Sequence, residues 1–227
     1  MTGRIFIVCS DRARNGKTML ARLFVDMLQL GGLMPLVFDT DAPEGGLARH
    51  FPLDARIVDL QRTTDQLALF DTVLADTLRD TVIDLSARDL DTFFDLCATT
   101  GFDEAAHAAG RTVRVFYILD RAFHSVVTAA RLRRLVQRGS FILIRNEAIA
   151  PQRDAAYPES EVRAVNADRI VTIPELTDAT MRDIESTAFS WKEFVLRGHK
   201  FTPVLRRHEL FRIIEAAWGD REIAARD

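Results

Sequence analysis

The sequence predicts an α/β fold: one doubly wound, mostly parallel sheet with helices on both faces. Three observations carry that prediction. Short, continuous Val/Ile/Leu/Phe runs alternate with longer amphipathic segments along the chain, the pattern of strands buried on both faces and joined by crossover helices. The 227 residues are 48% hydrophobic and 28% charged, an ordinary globular balance with enough interior for a full sheet. Repeats, low-complexity tracts and linkers are absent, so residues 1–227 read as one domain.

The elements follow in order. "RIFIVCS" (4–10) is an apolar strand, and 17–32 is an amphipathic helix closed by glycines. "LMPLVFDTD" (33–41) is a second strand, with Pro35 near its start. Residues 64–80 read as helix, 81–86 as strand and 88–101 as helix. Strand 112–120, helix 125–139 and strand 140–147 come next. A looser stretch, "AIAPQRDAAYPESE", precedes strand 168–176. The tail is helical in "TDATMRDIES" and "VLRRHELFRIIEAAWGD".

Composition excludes several classes. A net charge of −3 gives no global pull towards nucleic acid or membrane, so any such contact needs a local patch. Cys9 and Cys97 stand far apart, which argues against a disulfide framework and for a reducing cytoplasm. The first residues lack the pattern of a secretory leader, and no apolar run approaches the ~20 residues of a membrane helix. His50, His107, His124, His199 and His208 show no metal-ligand spacing and read as surface or structural. Only three of the 30 basic residues are lysines, Lys17, Lys192 and Lys200. That scarcity makes Lys17 informative.

Lys17 stands in "NGKT", directly after the first strand and before the first helix. Such a loop aims backbone N–H groups and a positive helix end at an anion. Asn15, Gly16, Lys17, Thr18 and Met19 are therefore candidate nucleotide-binding residues, with Lys17 on the β- and γ-phosphates and the Thr18 hydroxyl on Mg²⁺. The second strand ends in Asp39 and Asp41, two residues apart and on one side of an extended chain. One can serve the metal and the other can orient an attacking water. The third apolar run ends in Asp84, which suits the magnesium shell. Polar residues of these types at three successive strand ends match where parallel sheets bind ligands. Each alone has a plain reading, as turn, solubilising pair or helix cap.

Taken together, "RARNGKT", "PLVFDTDAPEGGLARHF", "TVIDLSARDL", "VRVFYILDRAFHSVVTAARL", "FILIRNE" and "RIVTIPEL" resemble the ParA/MinD family of deviant Walker P-loop ATPases, in the family's order and over nearly the whole chain. The resemblance implies the SIMIBI-type P-loop NTPase fold, ATP and Mg²⁺ as cofactors, and a nucleotide sandwich homodimer. It implies Lys17 and Asp41 as catalytic residues and Thr18, Asp39 and Asp84 around the metal. It also implies Asn146 on adenine, where a side-chain amide supplies both a donor and an acceptor.

Departures from the pattern bear on turnover. The family's signature lysine falls on Arg12, which keeps the charge in a longer, planar form. Its two loop glycines fall on Ala13 and Arg14, which predicts ordinary φ values there. Arg14 is the alternative cation if Arg12 does not serve. The D-x-P-P after the third strand is "DLSA" here, so slow hydrolysis is the expectation.

Partners follow from the resemblance: non-specific DNA and an adaptor of the centromere-binding or relaxosome type, in plasmid or chromosome partition or conjugative transfer. The candidate DNA surface is Arg131, Arg134 and Arg138 at i, i+3, i+7. A membrane role is not expected, because the ending "GDREIAARD" lacks a cationic face and the last helix suits packing on the sheet. Two alternatives remain: a regulatory or scaffold protein that binds nucleotide with little hydrolysis, at a positioning or secretion apparatus, and a dethiobiotin-synthetase-like ligase.

Overall fold

The computed structural model describes residues 2–149, 155–200 and 202–219. Its strands are β1 (Arg4–Cys9), β2 (Leu36–Asp39), β3 (Ala55–Ile57), β4 (Thr81–Asp84), β5 (Thr112–Leu119), β6 (Ser140–Asn146) and β7 (Arg169–Ile173). They form one seven-stranded sheet in the order β3-β2-β4-β1-β5-β6-β7, and every neighbouring pair is parallel. The helices are α1 (Lys17–Leu30), α2 (Thr63–Ala75), α3 (Leu90–Thr100), α4 (Phe102–Ala108), α5 (Phe123–Leu135), α6 (Glu159–Ala164), α7 (Asp178–Glu185), α8 (Trp191–Leu196) and α9 (Val204–Trp218). Among the described residues, no helix is long and apolar enough to cross a membrane.

The alternation of side chains along β1 divides the core in two. Ile5, Ile7 and Cys9 join Phe70, Phe93, Phe102, Leu132 and Val162 on the face covered by α2 to α6. Phe6 and Val8 join Phe24, Trp191, Phe194 and Leu210 on the face covered by α1 and α7 to α9. There Phe24 lies 4.6 Å from Phe116 and 5.9 Å from Trp218, ring to ring. Burying a phenylalanine of this kind contributes about 1.5–3 kcal/mol relative to exposure. The last helix packs as expected: Leu210, Ile213 and Ala217 of α9 are buried.

The chain leaves β1 towards β2 and β3, returns through β4, then crosses β1 to reach β5. The direction of winding therefore reverses at β1, and a cleft at the carboxyl end of β1 is where such sheets take ligands.

Differences from the expected elements have local causes. β3 has three residues, none buried, so no apolar run announces it. Gly101 at φ 67 ends α3 and starts α4 at once, splitting a region read as helix plus loop. Asp76 accepts hydrogen bonds from the Leu78 and Arg79 amides, ending α2 at Ala75 rather than at 80. The α8 segment reads as loop in sequence but is capped by Ser190, whose Oγ accepts from the Glu193 amide. Residues 150–154 and the tail 220–227 lie outside the described residues.

Candidate functional site

Four strand ends meet at the carboxyl edge of the sheet. The loop after β1 enters α1 through Gly16 at φ 90, and a Cβ there would stand 2.3 Å from Asn146 Nδ2. Glycine is thus required twice over, by backbone conformation and by space. Asn146, at the end of β6, donates from Nδ2 to the Asn15 carbonyl at 3.0 Å. Asn15 Nδ2 donates in turn to Ser10 Oγ at 2.9 Å. These two bonds set the path of the loop.

The cleft above has a volume of about 810 Å³, and its walls include Arg14, Lys17, Thr18, Met19, Asp41 and Asp84. On its floor Thr18 Oγ1 donates to Asp84 Oδ2 at 2.7 Å, joining the loops of two adjacent strands. Lys17 Nζ donates to the Arg12 carbonyl at 2.6 Å. Burial holds the Lys17 ammonium below its usual pKa, against the pull of Asp84. Burial also pushes the Asp84 carboxyl up to about 7, with Asp39 and Asp41 adding to the rise and the Thr18 hydroxyl and Lys17 opposing it. A carboxylate that is costly to ionise beside a hydroxyl and an ammonium is a pattern of functional sites.

Several residues expected at the site are placed differently. Asp39, expected at the metal, is fully buried, and its carboxylate accepts from the amides of Asp41 at 2.9 Å, Leu47 at 2.6 Å and Ala48 at 2.9 Å. It organises the loop 41–48 rather than facing the cleft. Gly45 at φ 63 and Gly46 belong to that loop, and a Cβ at 46 would press on Thr18 Oγ1 at 3.1 Å.

Arg12 does not line the cleft. It leans outward, with Nε 3.9 Å from Asp120 Oδ2. Arg14 does line it, at φ 62. The expectation of ordinary φ values in this loop is therefore wrong at Arg14, which takes the left-handed conformation at a cost of roughly 1–2 kcal/mol. Asp11, standing where a first glycine is usual, accepts from Ser125 Oγ at 2.8 Å and ties the loop to the start of α5.

Asn146 is almost fully buried, and its Oδ1 has no hydrogen-bond partner among the described residues. That oxygen is a free acceptor beside the loop.

The arginine stripe does not form. α5 ends at Leu135, so Arg138 falls outside the helix, and the i, i+3, i+7 face is broken. Arg131 pairs with Asp91, and Arg138 Nε donates to Glu104 Oε2 at 3.2 Å. Two of the three cations are thus matched by carboxylates.

Sequence reasoning missed Arg22, Arg49, His50, Met181 and Glu185, which also line the cleft. Arg22 donates to the carbonyls of Ile184 and Phe189, both at 2.6 Å, and so brings the end of α7 against α1. His50 had been read as surface or structural; burial and then Arg22 hold its imidazole down to about 4, so it is neutral at pH 7. A charged residue at position 22, on the buried stripe of a mostly apolar helix that also buries Asp26, was the available signal.

Among the described residues, no cluster of three or more His, Cys, Asp or Glu could hold a metal alone. A hydroxyl and one carboxylate, Thr18 and Asp84, do fit the way Mg²⁺ is held beside a nucleotide, with phosphate and water supplying the rest.

No family model and no curated protein matches the chain by sequence. Solved structures do match by fold. The septum site-determining protein MinD from Pyrococcus horikoshii, complexed with Mg-ADP, is 14% identical with a TM-score of 0.51, covering 99% of this chain and 100% of that one. A nucleotide-binding protein from Archaeoglobus fulgidus in complex with ADP is 12% identical (TM-score 0.48, 90% and 94% covered). An ATP complex of McdA from Cyanothece is 15% identical (TM-score 0.49, 94% and 96% covered). The chain shares the MinD fold over its whole length.

Proposed function

We propose that this chain binds ATP with Mg²⁺ in the cleft at the end of β1 and hydrolyses it slowly. The observation that carries the reading is the Thr18–Asp84 contact at 2.7 Å, with Lys17, Asp41 and Arg14 around one cleft at the winding reversal. The Mg-ADP in the MinD of the same fold supports it. Thr18 and Asp84 would hold Mg²⁺, which when bound screens phosphate charge. Lys17 binds phosphate, Arg14 adds a second cation, and Asp41 orients the attacking water. Asn146 Oδ1, without a partner among the described residues, accepts from an exocyclic amine of the base.

A second reading is nucleotide binding with little turnover. It is favoured by the outward turn of Arg12, which removes one expected cation from the cleft. The wider role, a nucleotide-driven dimer acting with DNA and an adaptor in partition or conjugative transfer, follows from the resemblance alone. Arg131 and Arg138, each facing a carboxylate, lend it no support.

The test is calorimetric titration of Mg-ATP into wild type and Lys17→Ala, with phosphate release and light-scattering mass measured in parallel. Saturable binding by wild type, lost in Lys17→Ala, with turnover abolished in Asp41→Ala, supports hydrolysis. Binding without phosphate release selects the second reading. An unchanged monomer mass with ATP removes the dimer.

A further inference from the structure

The loop 41–48 presents Asp41 to the cleft, and a single backbone hydrogen bond, from the Gly45 amide to the Asp41 carbonyl at 2.8 Å, closes it from within. Asp39 fastens its two ends, through the amides of Asp41, Leu47 and Ala48. Its crown is reached from another strand. Arg88, in the 3₁₀ turn after β4, donates from Nη1 and Nη2 to the Ala42 carbonyl at 3.5 and 3.4 Å. The other side of the same guanidinium faces the Asp89 carboxylate, with Nε at 3.4 Å from Oδ1 and Nη2 at 3.5 Å from Oδ2.

Asp89 is itself immovable. It is fully buried and accepts from Ser86 Oγ at 2.8 Å and Gln61 Nε2 at 3.1 Å. Ser86 in turn donates its amide to Thr40 Oγ1 at 2.8 Å, one residue before the loop begins. One buried carboxylate therefore gathers the loops after β2, β3 and β4, and projects a single guanidinium over the first of them. The planar fork of arginine is suited to this, since it can face a carboxylate and a carbonyl at once. The Arg88 side chain is 53% exposed and its bonds are long, too weak to support the fold. They do reach the backbone directly beside Asp41.

We propose that Arg88 is a positioning residue: anchored by Asp89, it latches the loop 41–48 through the Ala42 carbonyl and sets where Asp41 stands over the cleft. The proposal rests on the hydrolase reading for its consequence in turnover, but the latch itself can be observed without nucleotide.

The test is amide hydrogen exchange on the nucleotide-free full chain, for wild type, Arg88→Ala and Arg88→Lys, together with steady-state ATP turnover. Arg88→Ala is expected to speed exchange across residues 42–48 by about tenfold, as local opening becomes easier. Exchange in α1 and β4 and the melting temperature stay as in wild type. Turnover falls in kcat at unchanged KM, the signature of a lost catalytic geometry rather than lost binding. Arg88→Lys recovers part of both effects, because an ammonium reaches the Ala42 carbonyl but cannot fork onto Asp89. Unchanged exchange in 42–48 for Arg88→Ala overturns the latch, as does a fall in kcat and KM affinity together. If wild type shows no turnover, the hydrolase reading fails, and exchange alone decides the latch.

Discussion

At the amino edge of the sheet Arg4, Asp80 and Arg111 bury three charged side chains, and at the carboxyl edge Lys17, Asp39 and Asp84 bury three more. The first group is complete in itself. Arg4 pairs with Asp80 at 2.9 Å, and Asp80 also accepts the Arg4 amide at 2.7 Å. Arg111 donates to the carbonyls of Gly3 at 3.1 Å and Arg79 at 2.8 Å, to Thr81 Oγ1 at 2.9 Å, and to Val73 O. The second group is itself hydrogen-bonded, but polar atoms around it are not, among the described residues. Asp84 is hard to ionise and Lys17 hard to keep charged, and Asn146 Oδ1, Asp11 Oδ2 and His50 Nδ1 are buried with no partner among the described residues. Buried polar groups are normally satisfied. The contrast is between an edge whose buried charges are matched and an edge that keeps buried polar atoms without a partner among the described residues, the pattern expected where a ligand binds.

The comparison breaks first at the amino edge. Asp80→Ala removes the buried carboxylate that the Arg4 guanidinium and amide both bond, and should cost about 3–5 kcal/mol, read as a lower midpoint in chemical denaturation. Nucleotide affinity of the folded fraction should not change. A small cost would mean that this edge is not the stability centre.

The carboxyl edge should respond in the opposite direction. The folded pKa of Asp84, about 7, lies above its usual 3.8. The folded state therefore holds a proton that the unfolded state releases. The stability this gives is full at acidic pH and is lost as pH rises from about 4 through 7. Asp84→Asn removes that loss, so the nucleotide-free variant should exceed wild type at pH 8 by roughly 4 kcal/mol. The two should converge near pH 4. Parallel stability curves across that range would place the Asp84 proton elsewhere.

The smallest effect sharpens the picture of the loop. Arg14→Gly relieves the left-handed strain but loosens the unfolded chain, so the net stability change should stay within about 1 kcal/mol. Affinity for Mg-ATP should nevertheless fall about tenfold, the weight of one charge-assisted hydrogen bond. Unchanged affinity by fluorescence titration would reduce Arg14 to a strained bystander.

The sequence made the sheet legible wherever a strand is buried on both faces. β1 and β4 are buried at every position, and their apolar centres, Ile5–Cys9 and Val82–Ile83, mark them in the sequence. β3 sits at an edge with no buried residue, and no pattern could mark it. The site was legible in its residue types, because Lys17 and Thr18 open the helix after β1, Asp41 follows β2 and Asp84 ends β4. The direction of each side chain was not. Asp39 turns inward to its own loop and Asn15 back to Ser10, through local hydrogen bonds that residue types do not announce, while Arg12 turns outward to Asp120, a partner distant in sequence. His50, Met181 and Glu185 reach the cleft only through tertiary packing, where Arg22 draws the end of α7 onto α1. The arginine stripe failed because helix periodicity was extended three residues past Leu135 and because acidic partners on other elements were not foreseeable.

The central claim is that Mg-ATP completes what the carboxyl edge leaves unsatisfied. It is tested most directly by thermal unfolding of wild type and Asp84→Asn at pH 8, each without and with saturating Mg-ATP. The account predicts a crossing: Asp84→Asn is the more stable protein without ligand, and wild type becomes the more stable one with it. A wild type whose unfolding temperature does not move with Mg-ATP would contradict the account.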